Sequence, residues 1–190
     1  MTRQTHRLNG TGRHLNRSKS VSFTFDGKRY SGYEGDTLAS ALLANGVRLV
    51  ARSFKYHRPR GIFTCDPHEP SALVQLRSGA RTEPNIPATM VELYDGLEAA
   101  SQNRWPSLRY DLLSVNQMFA PFFAAGFYYK TFKWPAKFWT NLYEPVIRRA
   151  AGMGRLSGEI DPDTYEKQHH HCDILVIGGG AVGLSVAAHL

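Results

Sequence analysis

An α+β chain in three parts is what three observations in these 190 residues predict. Two alternating apolar and polar runs meet at Asp26-Gly27 and lead into a short apolar helix, the opening of a β-grasp domain. Residues 98–171 are first dense in Phe, Tyr and Trp and then polar, a connector of short helices followed by a linker. The last stretch, CDILVIGGGAVGLSVAAHL from Cys172 to Leu190, passes from apolar strand through glycine turn to helix former, the truncated start of a Rossmann-type α/β unit.

The hydrophobic share of 42% is ordinary for a globular chain, and the net charge of +7 is local. Arg3, Arg7, Arg13, Arg17 and Lys19 face no acid, and a second excess lies between Arg48 and Arg60. Residues 1–17 are expected to form a disordered basic arm. They lack the apolar core of a secretory signal, and their Arg-rich, acid-free profile resembles a transit peptide without a visible amphipathic face. Cys65 and Cys172 make neither a disulfide framework nor a metal-ligand pair, so they read as free thiols of a reducing, cytoplasmic protein.

In residues 20–33 Val21, Phe23 and Phe25 point one way and Ser22 and Thr24 the other, with the Asp-Gly pair as the hairpin turn. Asp36 or Thr37 then caps a helix whose stripe is Leu38, Ala41 and Leu42, and Gly46 suits its stop. From Arg48 to Pro70 periodicity disappears, and Arg48, Arg52, Lys55, His57, Arg58 and Arg60 alternate with Phe54, Tyr56 and Phe63. Such a run can track a nucleic-acid backbone; it can equally be a loop pinned to its own domain. Strands are expected over residues 72–77 and near 89–94, separated by a Pro-bearing loop, and the domain of residues 18–97, with about four strands and one helix, is expected to end near Leu97.

The charge-free run Leu112 to Tyr129 is at the bottom of the membrane-spanning range, but Ser114, Asn116, Gln117 and Pro121 interrupt it, which favours short helices packing aromatics on neighbouring domains. Pro106, Pro135 and Pro145 punctuate the connector. His169, His170, His171 and Cys172 are consecutive and cannot all face one ion, so a solvent-exposed run is expected.

In residues 172–190 the spacing Gly178-x-Gly180-x-x-Gly183 sits between strand and helix. The first glycine allows the tight turn, the second lets a pyrophosphate approach the backbone, and the third lets the helix pack closely. Phosphate would lie on free N–H groups at the helix N-terminus. A dinucleotide, NAD or FAD, is therefore the expected ligand of Gly178, Gly179, Gly180, Ala181, Val182 and Gly183. The acid that holds a ribose hydroxyl is expected about 20 residues further on, past Leu190, so the site is expected to be partial and the chain the front of a longer one.

Hairpin, helix, long loop and returning strands are similar to the plant-type ferredoxin domain, whose loop carries C-x4-C-x2-C around an iron–sulfur cluster. Here that loop offers only Cys65, so a cluster-free ferredoxin-like domain is expected and no metal is assigned. The strings SFTFDGKRYSGYEGDTLASALLANGVRLVARSFKYHRPRGIF, VELYDGLEAASQNRWPSLRYDLL, AGFYYKTFKWP and HCDILVIGGG resemble the N-terminal part of the α-subunit family of heterotetrameric sarcosine oxidases, from about Ser18 to the end. Members usually carry Pro-Ala at the positions of Ala181 and Val182. The resemblance implies a flavoenzyme complex with β, γ and δ subunits, using NAD, FAD, FMN and tetrahydrofolate, that oxidises sarcosine to glycine and forms hydrogen peroxide. It implies no catalytic residue in this stretch, and no activity for these 190 residues alone. The alternative is a small basic nucleic-acid-binding or adaptor protein without catalysis.

Overall fold

Strand β1, Asn16–Phe25, and strand β2, Lys28–Glu34, form the antiparallel hairpin, with Phe25 opposite Lys28 across a two-residue turn. Asp26 and Gly27 have φ of 50° and 76°, the left-handed pair that such a turn requires and that Asp-Gly tolerates. Val21, Phe23 and Phe25 are buried, as their period of two predicts. The computed structural model describes residues 4–10, 12–122, 126, 134–150 and 152–190 and divides into two units, Met1–Glu159 and Ile160–Leu190.

Helix α1, Leu38–Ala44, follows. Of the two cap candidates Thr37 is the cap: its hydroxyl accepts from the Ser40 N–H, and the Ser40 hydroxyl accepts from the Thr37 N–H. Asn45 closes the helix, and Gly46 leaves it at φ 76°. Asp36, buried, accepts instead from both terminal nitrogens of Arg7 at 3.0 and 2.6 Å and from the Tyr33 N–H at 2.9 Å. Arg7 lies in the stretch expected as a disordered arm, where Gln4 also donates to the Ser31 carbonyl. A buried carboxylate needs a counter-charge or enough hydrogen-bond donors, and Arg7 supplies both here; β1 moreover begins at Asn16, before the expected boundary.

The sheet has five strands in the order β2-β1-β7-β5-β6, where β5 is Leu73–Leu76, β6 Glu83–Pro87 and β7 Leu97–Ser101. β1 and β7 are parallel, with Phe23 opposite Leu97; the other pairings are antiparallel. One buried cluster joins Phe23, Phe25, Val74, Leu76, Leu97 and Ala99 of the sheet to Leu38, Ala41 and Leu42 of α1. A separate ribbon pairs β3, Ala51–Arg52, with β4, Pro59–Arg60.

Three expectations are corrected. The Pro-bearing segment expected as a loop is β6, an edge strand, where a missing N–H costs no ladder bond. The strand expected near residues 89–94 is a 3-10 turn, Ala88–Met90, followed by residues whose backbone bonds go to the start of α1: Leu38 N–H to Val91 C=O and Leu93 N–H to Asp36 C=O. Nor does the fold stop near Leu97, because β7 starts there and lies at the centre of the sheet.

Asp26 ties the hairpin to that central strand. Its carboxylate accepts from the Ser101 N–H at 2.8 Å and the Ser101 hydroxyl at 2.7 Å, with Arg104 at 3.0 Å. Asp26→Ala is expected to lower stability by about 1–3 kcal/mol, because the Ser101 donor and Arg104 lose their acceptor. An unchanged melting temperature would contradict this.

The connector consists of short elements: 3-10 turns over Leu112–Phe122 and Ala136–Phe138, a π turn over Trp139–Tyr143, and α2, Glu144–Ala150. Its aromatic middle, residues 123–125 and 127–133, lies outside the described residues. Among the described residues no helix is long and apolar enough to cross a membrane. In the second unit α3, Ala181–His189, is present, but the strand expected over residues 174–177 is not. A parallel strand needs neighbours to satisfy its backbone, and no strand is found among the described residues of this unit, so Leu175 and Ile177 are 71% and 89% exposed.

Candidate functional site

The glycine turn builds the mouth of α3. Gly178 has φ 110°, a conformation L side chains rarely adopt. A Cβ on Gly183 would lie 2.1 Å from the Gly178 carbonyl oxygen, so only glycine lets the helix start this close to the turn. A Cβ on Gly179 or Gly180 would meet nothing within 4 Å, which leaves the outer side of the turn open. Gly180 is the N-cap, with no side chain bonded to the first N–H groups, and the first helical bond runs from Leu184 N–H to Gly180 C=O at 2.9 Å. Ala181 and Val182 form the first turn, Val182 pointing to solvent. All six residues picked from the sequence thus lie in one turn with free donors and a positive dipole end, chemistry that suits a phosphate group. His169, His170 and His171 are exposed and, with Cys172, form no group of ligands; among the described residues no cluster of His, Cys, Asp or Glu could hold a metal ion.

In the first unit the loop after β4 carries Cys65, which is exposed. Its centre is Glu69, a residue sequence reasoning did not single out. Glu69 is 3% exposed; one carboxylate oxygen accepts from Phe63 N–H at 2.8 Å, Thr64 N–H at 2.6 Å and the Thr64 hydroxyl at 3.2 Å, the other from Ser71 N–H at 2.7 Å and Ala72 N–H at 3.0 Å. Burial, the largest single effect, raises its pKa, but the four backbone N–H bonds together hold it below the ordinary carboxylate value. A [2Fe–2S] cluster needs four thiolates or their replacements, and the chain has two cysteines, one of them in the other unit. The residues present do not fit a cluster.

The basic loop is tied down by polar bonds. His57, at φ 52° and 2% exposed, shares a 2.7 Å hydrogen bond between Nδ1 and Asp111 Oδ2. Asp111 Oδ1 accepts from the N–H groups of Trp105 and Leu113. Arg52, 4.0 Å from Asp111, donates to the carbonyls of Leu108, His57 and Arg109, so it is a structural cation. Lys55 and Arg58 lie 5.1 and 4.9 Å from the Tyr56 ring centroid. A cavity of about 380 Å³ is lined by Arg52, Phe54, Arg60, Phe63, Ser71 and Asn103, among others.

Comparison of the sequence finds that residues 18–104 match the family model described as a 2Fe-2S iron-sulfur cluster binding domain. Over more of its length the chain is similar to the α subunit of sarcosine oxidase. It is 64% identical over 173 residues to that subunit from Rhizobium meliloti (strain 1021), across 91% of this chain and 18% of the relative, and 33% identical over 181 residues to that of Corynebacterium sp. (strain U-96), across 93% and 14%. The chain spans less than a fifth of the length of these relatives. The crystal structure of L-proline dehydrogenase from P. horikoshii matches with 29% identity and a TM-score of 0.39, over 47% of this chain and 17% of that one.

Proposed function

We propose that this chain is the N-terminal part of a sarcosine oxidase α subunit, carrying a ferredoxin-like domain and the first turn of a Rossmann-type site for NAD. The observation that supports this reading most is the 64% identity across 91% of the chain. The exposed apolar residues 174–177 fit it too, since further strands of a longer polypeptide would cover them. In the complete cytoplasmic complex, with β, γ and δ subunits, the reaction is oxidation of sarcosine to glycine, with tetrahydrofolate taking the one-carbon unit and oxygen reduced to hydrogen peroxide. The flavins FAD and FMN supply that redox chemistry when bound, and the residues of this chain supply binding. Gly178 to Gly183 would hold the NAD pyrophosphate on the free N–H groups of α3, with Gly183 kept small so that the helix can start against the turn.

The test is calorimetric titration of NAD into the full-length subunit and into the 190-residue chain, with sarcosine-dependent peroxide formation measured alongside. The full-length subunit is expected to bind NAD and, once assembled, to form peroxide. The short chain is expected to do neither. Gly183→Val in the full-length subunit is expected to weaken NAD binding by about tenfold or more, by pushing helix and turn apart. No NAD binding by the full-length subunit, or an affinity that Gly183→Val leaves unchanged, would remove the cofactor assignment, and a complex inert toward sarcosine would remove the substrate.

A further inference from the structure

We propose that Glu69 is the folding centre of the cysteine-bearing loop, its carboxylate doing here what metal–thiolate bonds do in a cluster-binding domain. This loop has no strand partners over residues 61–72, so its backbone donors need another acceptor. Glu69 accepts from four of them and from one hydroxyl, on both sides of its own position in the chain, which closes residues 63–72 around a single anion. The buried carboxylate accepts from five neutral hydrogen-bond donors, an arrangement in which the surrounding dipoles balance the charge. The same bonds fix Phe63 and Ser71, which form part of the wall of the 380 Å³ cavity.

Two consequences separate this from a loop built for a cluster. Chelators and oxidants leave the loop intact, because no metal holds it. Acid opens it: the folded-state pKa is depressed, so the stabilisation is present above the unfolded value near 4.5 and is lost as pH falls through the lower folded value.

The experiment is hydrogen–deuterium exchange on the full chain, wild type, Glu69→Gln and Glu69→Ala, with iron and sulfide analysis after anaerobic reconstitution. In Glu69→Gln, which keeps the shape and removes the charge, the amides of Phe63, Thr64, Ser71 and Ala72 are expected to exchange about 10- to 100-fold faster while the β1–β2 hairpin is unchanged. Acetate is expected to slow these amides again in Glu69→Ala by filling the vacated donor site. Wild type is expected to retain no iron, and EDTA to leave its exchange unaltered. Unchanged exchange at the four amides in Glu69→Gln, or about two irons retained by the wild type, overturns the proposal, and neither result depends on NAD or oxidase activity.

Discussion

Asp111→Ala is expected to destabilise the first unit by about 3–5 kcal/mol, the cost of breaking a buried ion-pair network by removing one partner. The side chain is fully shielded, and four groups lose their acceptor or counter-charge together: His57 Nδ1, the N–H groups of Trp105 and Leu113, and the Arg52 guanidinium 4.0 Å away. The first consequence is local. Arg52 and His57 belong to the basic loop while Trp105 and Leu113 flank Asp111, so the loop from β3 to β4 comes away from the segment after β7. Asp111→Asn, which keeps the shape and one acceptor, should cost less. The check is urea unfolding followed by tryptophan fluorescence: a lower midpoint at unchanged slope is expected, and a variant within about 0.5 kcal/mol of wild type would show that the network contributes nothing net.

Phe23→Ala is expected to cost about 3–5 kcal/mol as well, by leaving a cavity in the buried cluster. Phe23 is 1% exposed, stacks on Tyr30 with ring centroids 5.7 Å apart, and faces Leu97 across the parallel pairing. Phe63, at 80% exposure, is the internal control: Phe63→Ala should fall within about 0.5 kcal/mol of wild type. If thermal melts gave equal shifts for the two variants, the assignment of core and surface would be wrong.

What the sequence made legible is what local physics decides. The hairpin register follows from a period of two on either side of Asp26-Gly27, and the limits of α1 follow from a cap and a glycine. Elements decided by distant partners were misread. Leu97–Ser101, LEAAS, has no β-branched residue and reads poorly as a strand; it becomes one because β1 and β5 pair with it on either side. Glu83–Pro87 was masked by two prolines that only an edge position tolerates. Val91 and Leu93 alternate as a strand would, yet they are buried without joining the sheet, and Val91 bonds to the first residue of α1.

The candidate site divides in the same way. Gly178 to Gly183 are consecutive, so their spacing carried the argument, and the close approach of Gly183 to the Gly178 carbonyl was implied by the pattern. Glu69 and the His57–Asp111 pair left no such trace. Fifty-four positions separate His57 from Asp111, and no periodicity connects them. For Glu69 the one available signal was an acid, like Asp66 followed by a proline, in a segment without strands, whose backbone donors had to find an acceptor somewhere.

The position of β7 also sets a timetable. During synthesis β1, β2 and α1 emerge first, then β5 and β6, and neither half can close on the other until residues 97–101 have emerged, because that strand lies between β1 and β5 in the sheet. Until then β1 and β5 each present an unpaired edge to solvent or to a chaperone. The nascent chain is therefore expected to be most prone to aggregation after β5 and β6 have left the ribosome and before residues 97–101 have, and an arrest in that interval would hold two sticky half-sheets, whereas a later one would let the sheet close.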